Sequence, residues 1–85
     1  MGQHLNVMSE PLTDTIRKAI EAKVEGAVAE VQGGGGHFQI VVTSPIFAGK
    51  SMLESQRLVY GAIAHLMAGD AAPVHAVDSL KTRTP

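Results

Sequence analysis

From Leu12 onward, apolar residues recur at intervals of three to four positions, the spacing of one face of an α-helix. Ahead of this pattern, Ser9, Glu10 and Pro11 supply a capping hydroxyl, an acid near the positive helix end and a proline for the first turn. Gly26 suits the helix end. We therefore predict a helix that begins near Pro11, preceded by a flexible tail over residues 1–10. Its apolar face consists of Leu12, Ile16, Ala19, Ile20 and Val24.

The middle of the chain alternates apolar and polar positions, which is the period of a half-buried β-strand. The strongest such segment is His37–Thr43, and a weaker candidate covers residues 27–32, where alanine lowers the strand propensity. Residues 33–36 are all glycine and are predicted to form a loop, because their backbone entropy disfavours a strand interior. The two strands then make a hairpin, with His37 pointing outward beside the loop. The core-facing side of the second strand carries Phe38, Ile40 and Val42.

A second helical pattern follows the turn region of residues 44–50. Ser51 and Glu54 form a Ser-x-x-Glu capping box at its start. The helix is expected to run to about Ala68, before Gly69, and Phe47 in the preceding turn is expected to reach the core. Near one face of this helix lie Met52, Gln56, Val59, Ile63, Leu66 and Met67.

Residues 74–80 alternate once more and are predicted to form the last strand. Strict alternation places Val77 on the side of His75 and Ser79, opposite Leu80. The element order α-β-β-α-β separates helices from strands, so the expected class is α+β. We predict one domain over residues 11–85, with a three-stranded sheet and both helices on one face. Because the last strand returns through the second helix, it can pair in parallel and make the sheet mixed.

The amino-acid composition argues against several classes of function. The chain has no cysteine, which removes disulfides, thiolate nucleophiles and any metal site built from its own thiolates. Seven basic and eight acidic residues give a net charge of −1, whereas nucleic-acid binders usually carry a basic excess. No nucleophile has a neighbouring base in the sequence, so we expect no enzyme activity. No apolar stretch approaches the roughly 20 residues of a membrane span, and there is no signal-peptide pattern. The expected compartment is the cytoplasm, without membrane contact.

Five segments, in this order and at this spacing, resemble the BolA family. The resemblance runs from about residue 12 to the end of the chain. The His-Phe-Gln strand and the short glycine loop are similar to its compact IbaG-type bacterial branch. The resemblance implies an α-β-β-α-β domain similar to a type II KH fold. The segments are residues 37–42, 44–51, 56–60, 74–77 and 82–85.

The BolA resemblance also implies a function and a ligand. Family members act as non-catalytic partners of monothiol glutaredoxins in iron–sulfur assembly, trafficking or iron sensing. His75 corresponds to the family's C-terminal histidine, a ligand of a [2Fe–2S] cluster shared with the glutaredoxin and glutathione. His37 is the candidate second ligand, with a solvated residue at a strand start as the alternative. Imidazole is a competent iron ligand. Alone, the chain is expected to be a monomer or weak homodimer without cofactor, and His4 and His65 are expected to be solvated.

A second hypothesis is a nucleic-acid-binding transcription regulator, as some BolA proteins are described. Its candidate contacts are Lys50, Arg57, Lys81 and Arg83. The family's Arg-His-Arg stretch corresponds here to residues 55–57, with one basic side chain. The glycine run contains Gly-x-x-Gly, but it joins two strands rather than the two helices that flank this loop in KH domains.

Overall fold

The first helix, α1, covers Leu12–Lys23. The computed structural model describes residues 11–85, so the predicted tail and the predicted capping residues Ser9 and Glu10 lie outside it. The first turn is closed by the Pro11 carbonyl, which accepts hydrogen bonds from the N–H groups of Asp14 and Thr15 at 2.9 and 3.2 Å. The predicted apolar face is confirmed: Ile16, Ile20 and Val24 are buried, and Leu12 and Ala19 pack against them.

Strands β1 (Val28–Gly34) and β2 (His37–Thr43) form the predicted antiparallel hairpin. The prediction that all four glycines form a loop was wrong, because Gly33 and Gly34 pair with Phe38 and His37 at the end of β1. The turn itself is only Gly35 and Gly36, at φ 64° and 87°. Positive φ at both central residues is what a tight hairpin turn requires, and the strand pairing offsets the entropy cost of the other two glycines.

Strand β3 covers Ala76–Arg83 and pairs in parallel with β2, which is the central strand of the order β1-β2-β3. The mixed sheet is thus confirmed, but the strand lies further along the chain than predicted. Val74 is buried and its N–H bonds to the Leu66 carbonyl, so it belongs to the connection after the second helix. At the other end, the Arg83 carbonyl accepts a hydrogen bond from the Ser44 N–H at 2.9 Å, which extends the pairing.

Helix α2 covers Met52–Met67, and its predicted capping box is present. The Ser51 Oγ accepts from the Glu54 N–H at 3.1 Å, and the Glu54 carboxylate accepts from the Ser51 N–H at 2.9 Å. Phe47, in a 3-10 turn over Pro45–Phe47, is buried as predicted. Met52 is not in the core: it is 72% exposed, because it lies in the first turn beside a surface groove. The buried positions of α2 are Ser55, Val59, Ala62 and Ile63.

One face of the sheet packs on the helices and the other is open. Phe38, Ile40 and Val42 of β2 are almost fully buried with the apolar faces of both helices, while the alternate positions of the same strand are exposed or half-buried. Burying side chains of this size contributes about 1.5–3 kcal/mol each. Neither helix in residues 11–85 is long and apolar enough to cross a membrane.

Candidate functional site: two imidazoles at one end of the sheet

His75 is held against the hairpin turn by its backbone. The Gly36 carbonyl accepts hydrogen bonds from the N–H groups of both His75 and Ala76, at 2.8 and 2.9 Å. The imidazole lies directly over Gly36, since a Cβ added there would be 2.7 Å from His75 Nδ1. The last glycine of the run is buried, whereas the histidine is exposed. The glycine therefore provides both the turn conformation and the space that the ring occupies.

His37 begins β2 and points to the open face of the sheet, as predicted. Its Nδ1 lies 3.2 Å from Oδ1 of Asp78, and the two side chains are 59% and 52% exposed. Asp78 was not identified from the sequence. It belongs to β3, two residues beyond Ala76, the residue that pairs with His37.

A β-bulge explains how Asp78 reaches this position. Phe38 pairs with Val77 and Gln39 pairs with Ser79, so Asp78 has no partner in β2. The predicted strict alternation of β3 was therefore wrong at Val77, which packs on the core as Leu80 does. The available signal was that two polar residues, instead of one, separate these two apolar residues.

The parallel pairing of β2 and β3 brings the two histidines to the same end of the sheet. His37 pairs with Ala76, the chain neighbour of His75, and both histidines adjoin Gly36. Within residues 11–85 no group of three or more histidine, cysteine or acidic side chains is placed to hold a metal ion. Two exposed imidazoles can supply part of a coordination sphere, and the remaining ligands would have to come from another molecule. The third histidine of the described residues, His65, is exposed on α2 as predicted.

The structure brings two of the four predicted nucleic-acid contacts into one groove. Lys81 and Arg83 line a groove of about 400 Å³ between β3 and the start of α2. Lys50 and Arg57 are exposed but are not among its lining residues. Arg83 Nε donates a hydrogen bond to Thr43 Oγ1 at 3.2 Å. The groove is otherwise lined by Met52, Gln56, Leu80 and Thr82.

Close to this groove, the capping box changes the acidity of one carboxyl group. The hydrogen bond with the Ser51 backbone N–H, and secondarily that with the Ser51 side chain, holds the pKa of Glu54 below its usual value. The charge of Lys50 acts in the same direction.

The fold and the site together define a small α-β-β-α-β domain that presents two imidazoles at one end of a mixed sheet. The family model described as BolA-like protein matches residues 4–85. The chain belongs to the BolA family.

Individual relatives agree with this assignment. BolA-like protein 1 of Pongo abelii is 33% identical over 88% of this chain and 59% of its own length. The acid stress protein IbaG of Escherichia coli K12 is 38% identical over 65% of this chain and 62% of its own length. The chain thus spans about three fifths of these relatives. The solved structure of a BolA protein homologue from Coxiella burnetii is 38% identical, with a TM-score of 0.75 over 89% of this chain and 94% of that one.

Proposed function

We propose that this BolA-family chain is a non-catalytic adaptor that binds a monothiol glutaredoxin and shares a [2Fe–2S] cluster with it. The proposed compartment is the cytoplasm. One observation carries the proposal: two exposed imidazoles lie at one end of the sheet in a chain that has no cysteine.

The donor set suits a shared site. Iron–sulfur clusters are usually held by four thiolates, and histidine can replace cysteine on one iron, which raises the reduction potential. His75 and His37 would supply nitrogen ligands, and the glutaredoxin and glutathione would supply the sulfur. Other parts of the chain would position these ligands. The Gly36 carbonyl holds the backbone at His75, and the open sheet face leaves room for a partner.

The decisive experiment mixes the protein with a monothiol glutaredoxin, glutathione and a reconstituted cluster. We expect a heterodimer on size-exclusion chromatography and a circular dichroism spectrum that differs from that of the glutaredoxin homodimer. His75→Ala should change that spectrum most and His37→Ala next. His65→Ala is the matched control, since this exposed histidine belongs to α2 and was not predicted as a ligand, and it should behave as wild type.

Two results would contradict the proposal. If no heterodimer forms and the spectra simply add, the chain is not a cluster partner of this glutaredoxin. If the heterodimer forms but both histidine variants retain the wild-type spectrum, the ligands lie elsewhere.

A second candidate, nucleic-acid binding, is favoured by one observation, the pair of cations Lys81 and Arg83 in one groove. Lys81 also borders a depression on the open sheet face that contains Glu30, so an acid shares that surface. Phosphate contacts give an affinity that falls steeply with salt. Duplex DNA titrated at low salt should show binding that weakens in Lys81→Ala and Arg83→Ala. A titration without measurable binding at low salt would exclude this candidate.

A further inference from the structure

We infer that Asp78 is a positioning residue for His37: the carboxylate on the β-bulge accepts the Nδ1–H and leaves Nε2 as the free ligand nitrogen. The role toward a cluster rests on the proposed function, whereas the hydrogen bond and the tautomer belong to the isolated chain.

The β-bulge brings the Asp78 carboxylate within hydrogen-bond distance of the His37 ring. Asp78 Oδ1 lies 3.2 Å from His37 Nδ1, within reach of an imidazole N–H donor. The bulge adds Asp78 to the open face of β3 while Val77 and Leu80 keep their contacts with the core. The strand therefore gains a carboxylate next to His37 at no loss of core packing.

The carboxylate determines which ring nitrogen of His37 carries the proton. A neutral imidazole has one N–H and one lone pair, and an ionised carboxylate is only an acceptor. Their contact selects the tautomer with the proton on Nδ1, so the lone pair of His37 is on Nε2. Histidines that ligate metals commonly donate their other ring N–H to a carboxylate or a carbonyl, which fixes the ring orientation and raises the basicity of the ligand atom.

His75 is positioned by different contacts from those of His37. Two hydrogen bonds to the Gly36 carbonyl fix the backbone at His75, and its ring packs over Gly36 without a carboxylate partner. His37 lies on the open face, where more than half of its side chain is exposed and the contact with Asp78 restrains it. Each histidine thus has its own means of orientation.

The test is to measure the tautomer directly. Long-range ¹H–¹⁵N correlation spectra of the labelled isolated protein, recorded well above the usual histidine pKa of about 6.5, assign the protonated nitrogen of each ring. Wild type should show His37 protonated mainly on Nδ1. Asp78→Ala should shift His37 toward the Nε2–H form. Asp78→Asn should weaken the preference for Nδ1–H, because its amide can donate as well as accept.

Asp70→Ala is the matched control, since Asp70 is an exposed acid in the turn after α2. It should leave the His37 signals unchanged, and the His65 signals should stay constant in all variants. A wild-type His37 protonated on Nε2, or the same tautomer in wild type and Asp78→Ala, would overturn the inference.

A second readout connects the tautomer to the cluster. From the glutaredoxin heterodimer, Asp78→Ala should release the cluster to a chelator about tenfold faster than wild type, at the low end of the usual effect of such supporting residues. A tautomer change with an unchanged release rate would overturn the role toward the cluster. If no heterodimer forms, the proposed function fails while the tautomer measurement still decides the role of Asp78.

Discussion

The two histidines lie at the same end of the sheet, yet the fold holds them by different means. His75 is fixed by main-chain hydrogen bonds to Gly36 and by packing of its ring over that glycine. His37 is restrained by one exposed contact with the Asp78 side chain. The position of His75 therefore depends on the folded backbone, whereas the His37 ring can be reoriented without disturbing the fold.

The largest expected effect comes from Gly36→Ala. A non-glycine residue at φ 87° costs about 1–2 kcal/mol, and the new Cβ would meet the His75 ring at 2.7 Å. We expect the free energy of unfolding to fall by about 2 kcal/mol, with a change in the His75 ring signals. Chemical denaturation and NMR spectra of the variant measure both effects.

Gly34→Ala is the control for that substitution. Gly34 lies in the same glycine run, has no positive φ and leaves open space around an added Cβ. Alanine there should be neutral or stabilise by about 0.5 kcal/mol through the unfolded state. Equal stabilities of the two variants, with unchanged His75 signals, would show that Gly36 does not hold His75.

Deletion of Asp78 tests how His37 is held. The chain would then read Val77, Ser79, Leu80, which restores strict alternation with both apolar residues facing the core. We expect cooperative unfolding with a change of about 1 kcal/mol or less, because the lost residue is exposed and unpaired. The His37 ring signals should change and those of His75 should not. Loss of cooperative unfolding would show that the fold depends on the bulge residue. A change in the His75 signals would show that the two histidines are not independent.

Much of this molecule follows from local sequence rules. The element order, the mixed sheet, the capping box at Ser51 and the outward direction of His37 were all predicted, because periodicity and capping depend on neighbouring residues. The contacts of the site were not. The space that Gly36 leaves for His75 and the bulge at Asp78 arise from the pairing of β2 with β3, whose residues are about 40 positions apart in the chain. From the sequence, Gly36 was therefore predicted to form part of a loop, but its contact with the His75 ring was not predicted.

The smallest expected effect concerns Glu54, a carboxylate that takes no part in this pairing. Hydrogen bonding at Ser51 lowers the pKa of Glu54 in the folded state, so its stabilising effect is present above the usual Glu pKa of about 4.3. It is lost as the pH falls through the lowered folded value, because the folded state then has to bind the proton too. Wild type should therefore be more stable than Glu54→Gln near pH 6, and the difference should shrink toward pH 3. Denaturation midpoints over this range measure it.

NMR signals of the His37 and His75 rings, recorded for Glu54→Gln, show whether this substitution acts on the helix cap alone. Glu54 caps α2, whereas Asp78 contacts His37, so Glu54→Gln should leave both imidazoles as they are in wild type. A pH-independent stability difference would show that the cap does not act through the ionised carboxylate. If the substitution instead shifted the His37 signals, the two exposed carboxylates would be coupled, and the assignment of His37 orientation to Asp78 alone would be wrong.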